Sequence, residues 1–134
     1  MKIVLDTNVL MSGIFFGGPP LKILQAWRDG KVQLAVCLEI LAEYREVALR
    51  LSEKYEGVDV LPLLDLVAIG SHIIQAAPLS EPICADPDDD IFFACAVAAK
   101  ARIIVSGDKH LLTASGRGGI EVLRPRTFID RYLQ

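Results

Sequence analysis

The sequence predicts an α/β fold, a three-layer sandwich with a mostly parallel five-stranded sheet between helices, in one domain over residues 1–134. Three observations predict it. Short apolar runs rich in β-branched residues alternate with longer segments of helical spacing. The first run, Ile3-Val4-Leu5, is apolar without alternation, as in a strand covered on both faces. And 134 residues, 52% of them hydrophobic and 23% charged, suffice for one sizeable core and are too apolar for a disordered chain.

The elements follow in order. Strand 3–5 leads through Asp6-Thr7-Asn8 into a helix carrying Val9, Leu10 and Ile14. Gly17-Gly-Pro-Pro20 breaks it, and proline in the first turn opens a second helix through Trp27, ending near Gly30. Val32–Val36 is the second strand, and Leu38 to about Leu51 an amphipathic helix with Ile40, Leu41, Tyr44, Val47, Ala48 and Leu51 at helical spacing. Val58–Ile69 is a helix closed by Gly70, and His72–Gln75 a short third strand. After a polar loop with Pro78 and Pro82, Asp86-Pro-Asp-Asp-Asp90 opens a helix that runs to about Ala101. Ile103–Ser106 is the fourth strand, Lys109–Leu112 a short helix, Ile120–Leu123 the fifth strand, and Pro125–Leu133 a closing helix.

Composition narrows the function classes. No apolar run approaches the roughly 20 residues of a membrane span. Asp6 interrupts the first apolar run too early for a signal peptide, so a cytoplasmic location is expected. Three cysteines, Cys37, Cys84 and Cys95, without a Cys-x-x-Cys, read as free buried thiols, not as a disulfide framework or a zinc site. The net charge of −3 by itself argues against a nucleic-acid binder. Its distribution says more: residues 1–99 hold 7 basic against 14 acidic residues, whereas residues 100–134 hold 7 against 3. An acidic body with a basic tail suits a metal site beside a phosphate-binding rim.

Four carboxylates stand out by position. Asp6 ends the first strand, and open α/β sheets bind ligands at that edge. Glu43 borders the apolar stripe of its helix, Asp90 heads a helix that is apolar almost all round, and Asp108 follows the fourth strand. Strand ends and helix starts share one edge of a parallel sheet, so Asp6, Asp90 and Asp108 are expected on a common rim. Crowded carboxylates repel unless something positive joins them, and a divalent metal relieves all of them at once. All-oxygen ligation favours Mg²⁺ or Mn²⁺. Simpler readings stand beside this one. Asp86, Asp88 and Asp89 suit helix capping and the helix dipole. Asp108 can cap the short helix after it, and Glu43 can be a solvated surface acid.

Leu5-Asp-Thr-Asn8 with Ser12, Glu43 within Glu39–Glu46, Asp90-Ile-Phe-Phe-Ala-Cys-Ala96 and Ser106-Gly-Asp108 together resemble a PIN domain, of the type grouped with VapC-like toxins of toxin–antitoxin systems. The resemblance runs through nearly the whole chain. It implies a ribonuclease using Mg²⁺ or Mn²⁺, with Asp6, Glu43, Asp90 and Asp108 as both catalytic and metal-binding acids. It also implies Thr7, Asn8 or Ser12 as hydrogen-bonding support and Ser106 at the usual Ser/Thr position. Dimerisation and an antitoxin partner are further implications. Three adjacent acids, Asp88-Asp-Asp90, leave open whether Asp88 or Asp89 shares the metal role with Asp90.

The resulting expectation is hydrolysis of single-stranded RNA that leaves a 5′-phosphate and a 3′-hydroxyl. Lys109, Arg117, Arg124 and Arg126 are the candidates for backbone contacts. Two other classes remain. An aspartyl-phosphate enzyme also places an Asp after its first strand, but such phosphatases usually carry a second Asp two positions later, where this chain has Asn8. A non-catalytic interaction module would keep the fold and bind only a partner protein.

Overall fold

A computed structural model describes residues 1–134. Five strands form one sheet, β1 (Lys2–Leu5), β2 (Gln33–Val36), β3 (His72–Ile73), β4 (Ile103–Val105) and β5 (Glu121–Leu123). Their order is β3-β2-β1-β4-β5, and every neighbouring pair is parallel. Seven α-helices accompany them: α1 (Thr7–Phe15), α2 (Gly18–Arg28), α3 (Leu38–Lys54), α4 (Val60–Gly70), α5 (Asp90–Ala99), α6 (Lys109–Thr113) and α7 (Pro125–Tyr132). None is long and apolar enough to cross a membrane.

The expected five-stranded sandwich is therefore present, and its sheet is wholly parallel. β1 explains why. Consecutive residues of a strand face opposite sides, yet Ile3, Val4 and Leu5 are each at most 1% exposed. Both faces of the sheet are thus covered. α5, with Phe92, Phe93, Cys95 and Ala96 buried, lies against β1, β2 and β4. α2 meets α1 closely at Gly13, where any Cβ would fall 2.6 Å from the Leu24 side chain.

The topology sets the site. From β1 the chain moves outward one way through β2 to β3, then returns to the other side of β1 for β4 and β5. The direction of progression reverses between β1 and β4. At such a switch point the connections leaving adjacent strands diverge and open a crevice at the carboxyl edge. Asp6 and Ser106 are the first residues past the ends of those two strands.

Local differences from the expected boundaries are small and physical. β3 is two residues long, not four, and both residues are exposed, as befits an edge strand with one neighbour. The helix expected from Asp86 begins as a 3₁₀ turn, Pro87–Asp89, before α5 takes over at Asp90. Asp86 caps that turn, accepting the Asp88 N–H at 3.0 Å.

Candidate active site

Asp6 is 5% exposed, although it is a carboxylate at the end of a core strand. Its backbone is anchored on both sides: its N–H donates to the Val105 carbonyl at 3.0 Å, and its carbonyl accepts the Val9 N–H at 3.0 Å to start α1. The side chain is oriented by Ser106, a fully buried residue whose hydroxyl donates to Asp6 Oδ2 at 2.8 Å. The same hydroxyl accepts the Asp108 N–H at 2.9 Å. One serine thereby links the acid after β1 to the loop after β4. Asp108 in turn caps α6, its Oδ1 accepting the His110 N–H at 2.8 Å. The capping role weighed for Asp108 is present, and it does not remove the acid from the edge.

Glu43 is half-buried on α3 and reaches the same place. Its carboxylate accepts the hydroxyl of Thr7, the buried first residue of α1. Tyr44, the next residue, is fully buried and donates its hydroxyl to the Leu5 carbonyl at 2.5 Å. The helical spacing of Tyr44 marks it as core. Its hydroxyl has a second task, holding α3 against the end of β1 so that Glu43 faces Asp6.

The charges interact. Burial first, then the negative charges of Asp108 and Glu43, push the Asp6 carboxyl up to about 6 against the lowering hydrogen bonds from Ser106 and Thr7. Asp89 is likewise pushed up to about 6, chiefly by burial and then by Asp108, Asp86, Asp6 and Glu43. No base offsets them: the chain's two ion pairs, Arg28–Asp29 and Arg131–Glu121, lie elsewhere.

Asp89 thus lies in the field of Asp6, Glu43 and Asp108. Asp90 has other partners. Its Oδ1 accepts the Ile83 N–H at 3.2 Å and the Cys84 N–H at 2.7 Å. It borders a separate cleft of about 340 Å³ with Cys37, Glu39 and the Ala76–Leu79 segment. Asp90 heads the apolar helix as expected, and the loop N–H groups hold only its Oδ1, which leaves Oδ2 free. Asp88 is exposed.

Thr7, Asn8 and Ser12 divide as well. Thr7 serves Glu43, whereas Asn8 and Ser12 line a shallow cleft of about 310 Å³ beside Asp108, with Gly107, Pro20 and Pro125. Neither hydrogen-bonds Asp6, whose side-chain support comes from Ser106. Of the four basic candidates, Lys109, Arg124 and Arg126 follow β4 or β5 and stand at the carboxyl edge. Arg117 lies in the turn that precedes β5, which puts it at the opposite edge and away from the acids. His72 is on the far edge strand, and His110 is the exposed N–H donor to Asp108.

The donors around Asp6 are oxygens only, crowded and without a cationic partner, which is the kind of set a hard divalent cation takes. They are not drawn into a closed shell: no three acids, thiols or imidazoles stand close enough to hold one ion as they are. The fit is in chemical kind. Closing it falls to the partly exposed carboxylates Glu43, Asp89 and Asp108, since Asp6 is fixed.

No curated protein and no solved structure matches the chain. A family model described as a PIN domain matches residues 2–110. The match takes in every acid of this edge, from Asp6 to Asp108, and most of the 134 residues. On that ground the chain belongs to the PIN-domain family, whose members are typically nucleases.

Proposed function

We propose that this protein is a divalent-metal-dependent endoribonuclease that hydrolyses phosphodiesters of single-stranded RNA. The observation that carries the reading is Asp6: a buried carboxylate at the switch point, facing two further acids and no base. Such a group is costly to ionise unless a cation joins it. Mg²⁺ or Mn²⁺, when bound, supplies a positive charge that activates water and stabilises the charge developing on the phosphate.

The chain's own residues have distinct tasks. Asp6 is the fixed acid, held by Ser106. Asp108 and Asp89 complete the acidic edge, and Glu43, steadied by Thr7, is placed to orient a water. Asn8 and Ser12 offer hydrogen bonds from the adjoining cleft to a phosphate oxygen. Lys109, Arg124 and Arg126 supply the cationic rim that brings a polyanion to an acidic centre. Attack by water leaves a 5′-phosphate and a 3′-hydroxyl.

An aspartyl-phosphate reading fits less well. Phosphatases of that class usually carry a second Asp two positions after the first, where this chain has Asn8. The deciding assay follows cleavage of a single-stranded RNA oligonucleotide with Mg²⁺ or Mn²⁺, with EDTA, and with Asp6→Asn. Cleavage that survives EDTA, or survives Asp6→Asn, overturns the proposal. A toxin role, with an antitoxin as partner, is the setting this activity suits. Growth arrest on expression that Asp6→Asn relieves is its test.

A further inference from the structure

The opposite edge of the sheet holds a cleft of about 440 Å³ that the acidic centre does not use. Lys2 at the start of β1, Lys100 at the end of α5 and Arg102 just before β4 line it, together with Tyr132 and Glu121. The one acid is already neutralised, since Arg131 pairs with Glu121 at 2.9 Å. Three cations thus face the cleft without an ion-pair partner. Tyr132 is 41% exposed, and its ring is steadied by Phe128, 5.3 Å away between centroids.

Lys100 adds a second, independent observation. Its φ of 57° makes it the only residue other than glycine with a left-handed backbone. Glycine is the usual occupant of such a helix end, because a Cβ is strained there. A lysine at a position that favours glycine directs attention to its ammonium group, which lines the cleft.

We propose that this cleft binds single-stranded nucleic acid outside the catalytic edge, Lys2, Lys100 and Arg102 contacting phosphates and Tyr132 stacking on one base. Spaced cations beside an exposed aromatic ring are the chemistry of sequence-tolerant single-strand binding. Lys2 and Asp6 are four residues apart on one strand, or about 13 Å. A longer RNA held at the amino edge would be retained after one cut at the other. The inference rests on the nuclease reading, and the test separates the two.

Binding of a fluorescent single-stranded 20-nucleotide RNA is followed by anisotropy over a salt series, in the Asp6→Asn background. Adding Lys100→Ala and Arg102→Ala should weaken binding by about 10- to 100-fold and reduce the salt slope by about 1.4, the value for two lost phosphate contacts. Tyr132→Leu should cost about 5- to 100-fold. The control pair Lys22→Ala and Lys54→Ala, on exposed surface elsewhere, should change neither quantity. With Asp6 intact, the cleft variant should raise KM for the 20-mer and leave kcat unchanged.

Equal loss in cleft and control variants, or none in the cleft variant, overturns the cleft and leaves the nuclease reading standing. Displacement of the RNA by a poly-glutamate peptide with the same dependence on Lys100 and Arg102 assigns the cleft to an acidic protein segment and overturns the proposal. Protection of the cleft by pyrophosphate, with RNA binding indifferent to it, does so too. Failure of the wild type to cleave RNA in the presence of metal sinks the nuclease reading.

Discussion

β1 starts at Lys2 and ends beside Asp6; β4 follows Arg102 and leads to Ser106 and Asp108. The same two strands therefore carry bases at one edge and acids at the other. The edges differ in more than sign. At the carboxyl edge the key charge is buried, one of its oxygens is held by Ser106, and burial, then the like charges beside it, push the Asp6 carboxyl up to about 6. At the amino edge Lys100 and Arg102 are exposed and solvated, free to reach whatever arrives. Fixed, crowded charge suits chemistry; solvated, spaced charge suits grip. A net charge of −3 averages two opposed surfaces and describes neither.

The most damaging test of this contrast is Asp6→Asn. Cleavage should fall on the order of 10³-fold, the scale of removing a preorganised electrostatic group at a reacting centre. RNA binding at the amino edge should persist. Loss of both together would mean that the edges do not act separately.

Acidity is the next lever. Asp6 has a folded pKa of about 6 against 3.8 in the unfolded chain, so the folded form holds the extra proton between these values. Stability without metal should therefore fall as pH rises from about 4 to 6 and level off above about 7. The Asp6 contribution is about 3 kcal/mol at most. Thermal melts at pH 5 and pH 8 read it. Asp6→Asn should remove the larger part of that slope, leaving a smaller one from the more exposed Asp89, and added Mn²⁺ should raise Tm more at pH 8 than at pH 5.

The neighbouring acids sharpen the carboxyl edge itself. Asp89→Asn should cut activity about 100-fold with little change in Tm. Asp90→Asn weakens charge-assisted bonds to two loop N–H groups and should lower stability by about 1–3 kcal/mol. An activity loss at Asp90→Asn as large as at Asp89→Asn, with Tm unchanged, would give both acids a catalytic role. Ser106→Ala should cost about 10- to 100-fold in activity, as expected for the loss of a group that orients a site acid. Ser106→Thr, which keeps the hydroxyl, should recover most of it.

The smallest expected effect lies at the amino edge. Lys100→Gly relieves the left-handed strain and should stabilise the fold by up to about 1 kcal/mol. The same change should weaken RNA binding. A variant that is both more stable and a weaker binder would show that the strain is held for the charge.

Much of this was legible along the chain. The unbroken apolar run Ile3-Val4-Leu5 announces a strand covered on both faces, and an acid directly after it announces a carboxyl-edge position; the switch point beside it needed the strand order. The different surroundings of Asp89 and Asp90 were not legible. One residue in a helix turns a side chain by about 100°, and the change from a 3₁₀ turn to α5 falls between these two. Asp90 finds its partners in the loop at Ile83 and Cys84, which no periodicity reveals. Tyr44 was legible as core by spacing, while the direction of its hydroxyl depends on where β1 ends. Arg117 was grouped with the rim as one of the bases of the basic tail; the short α6 carries it back to the other edge before β5 begins.

The Ser106 hydroxyl joins residues 100 positions apart. A ribosome making this chain in order completes the N-terminal acid almost at once and the bridging serine only near the finish. Until β4 has emerged and docked beside β1, Asp6 has neither its clamp nor its neighbour Asp108. A nascent chain stalled before Ile103 thus lacks the acidic edge, and the proposed activity would reach the cell only with the finished product.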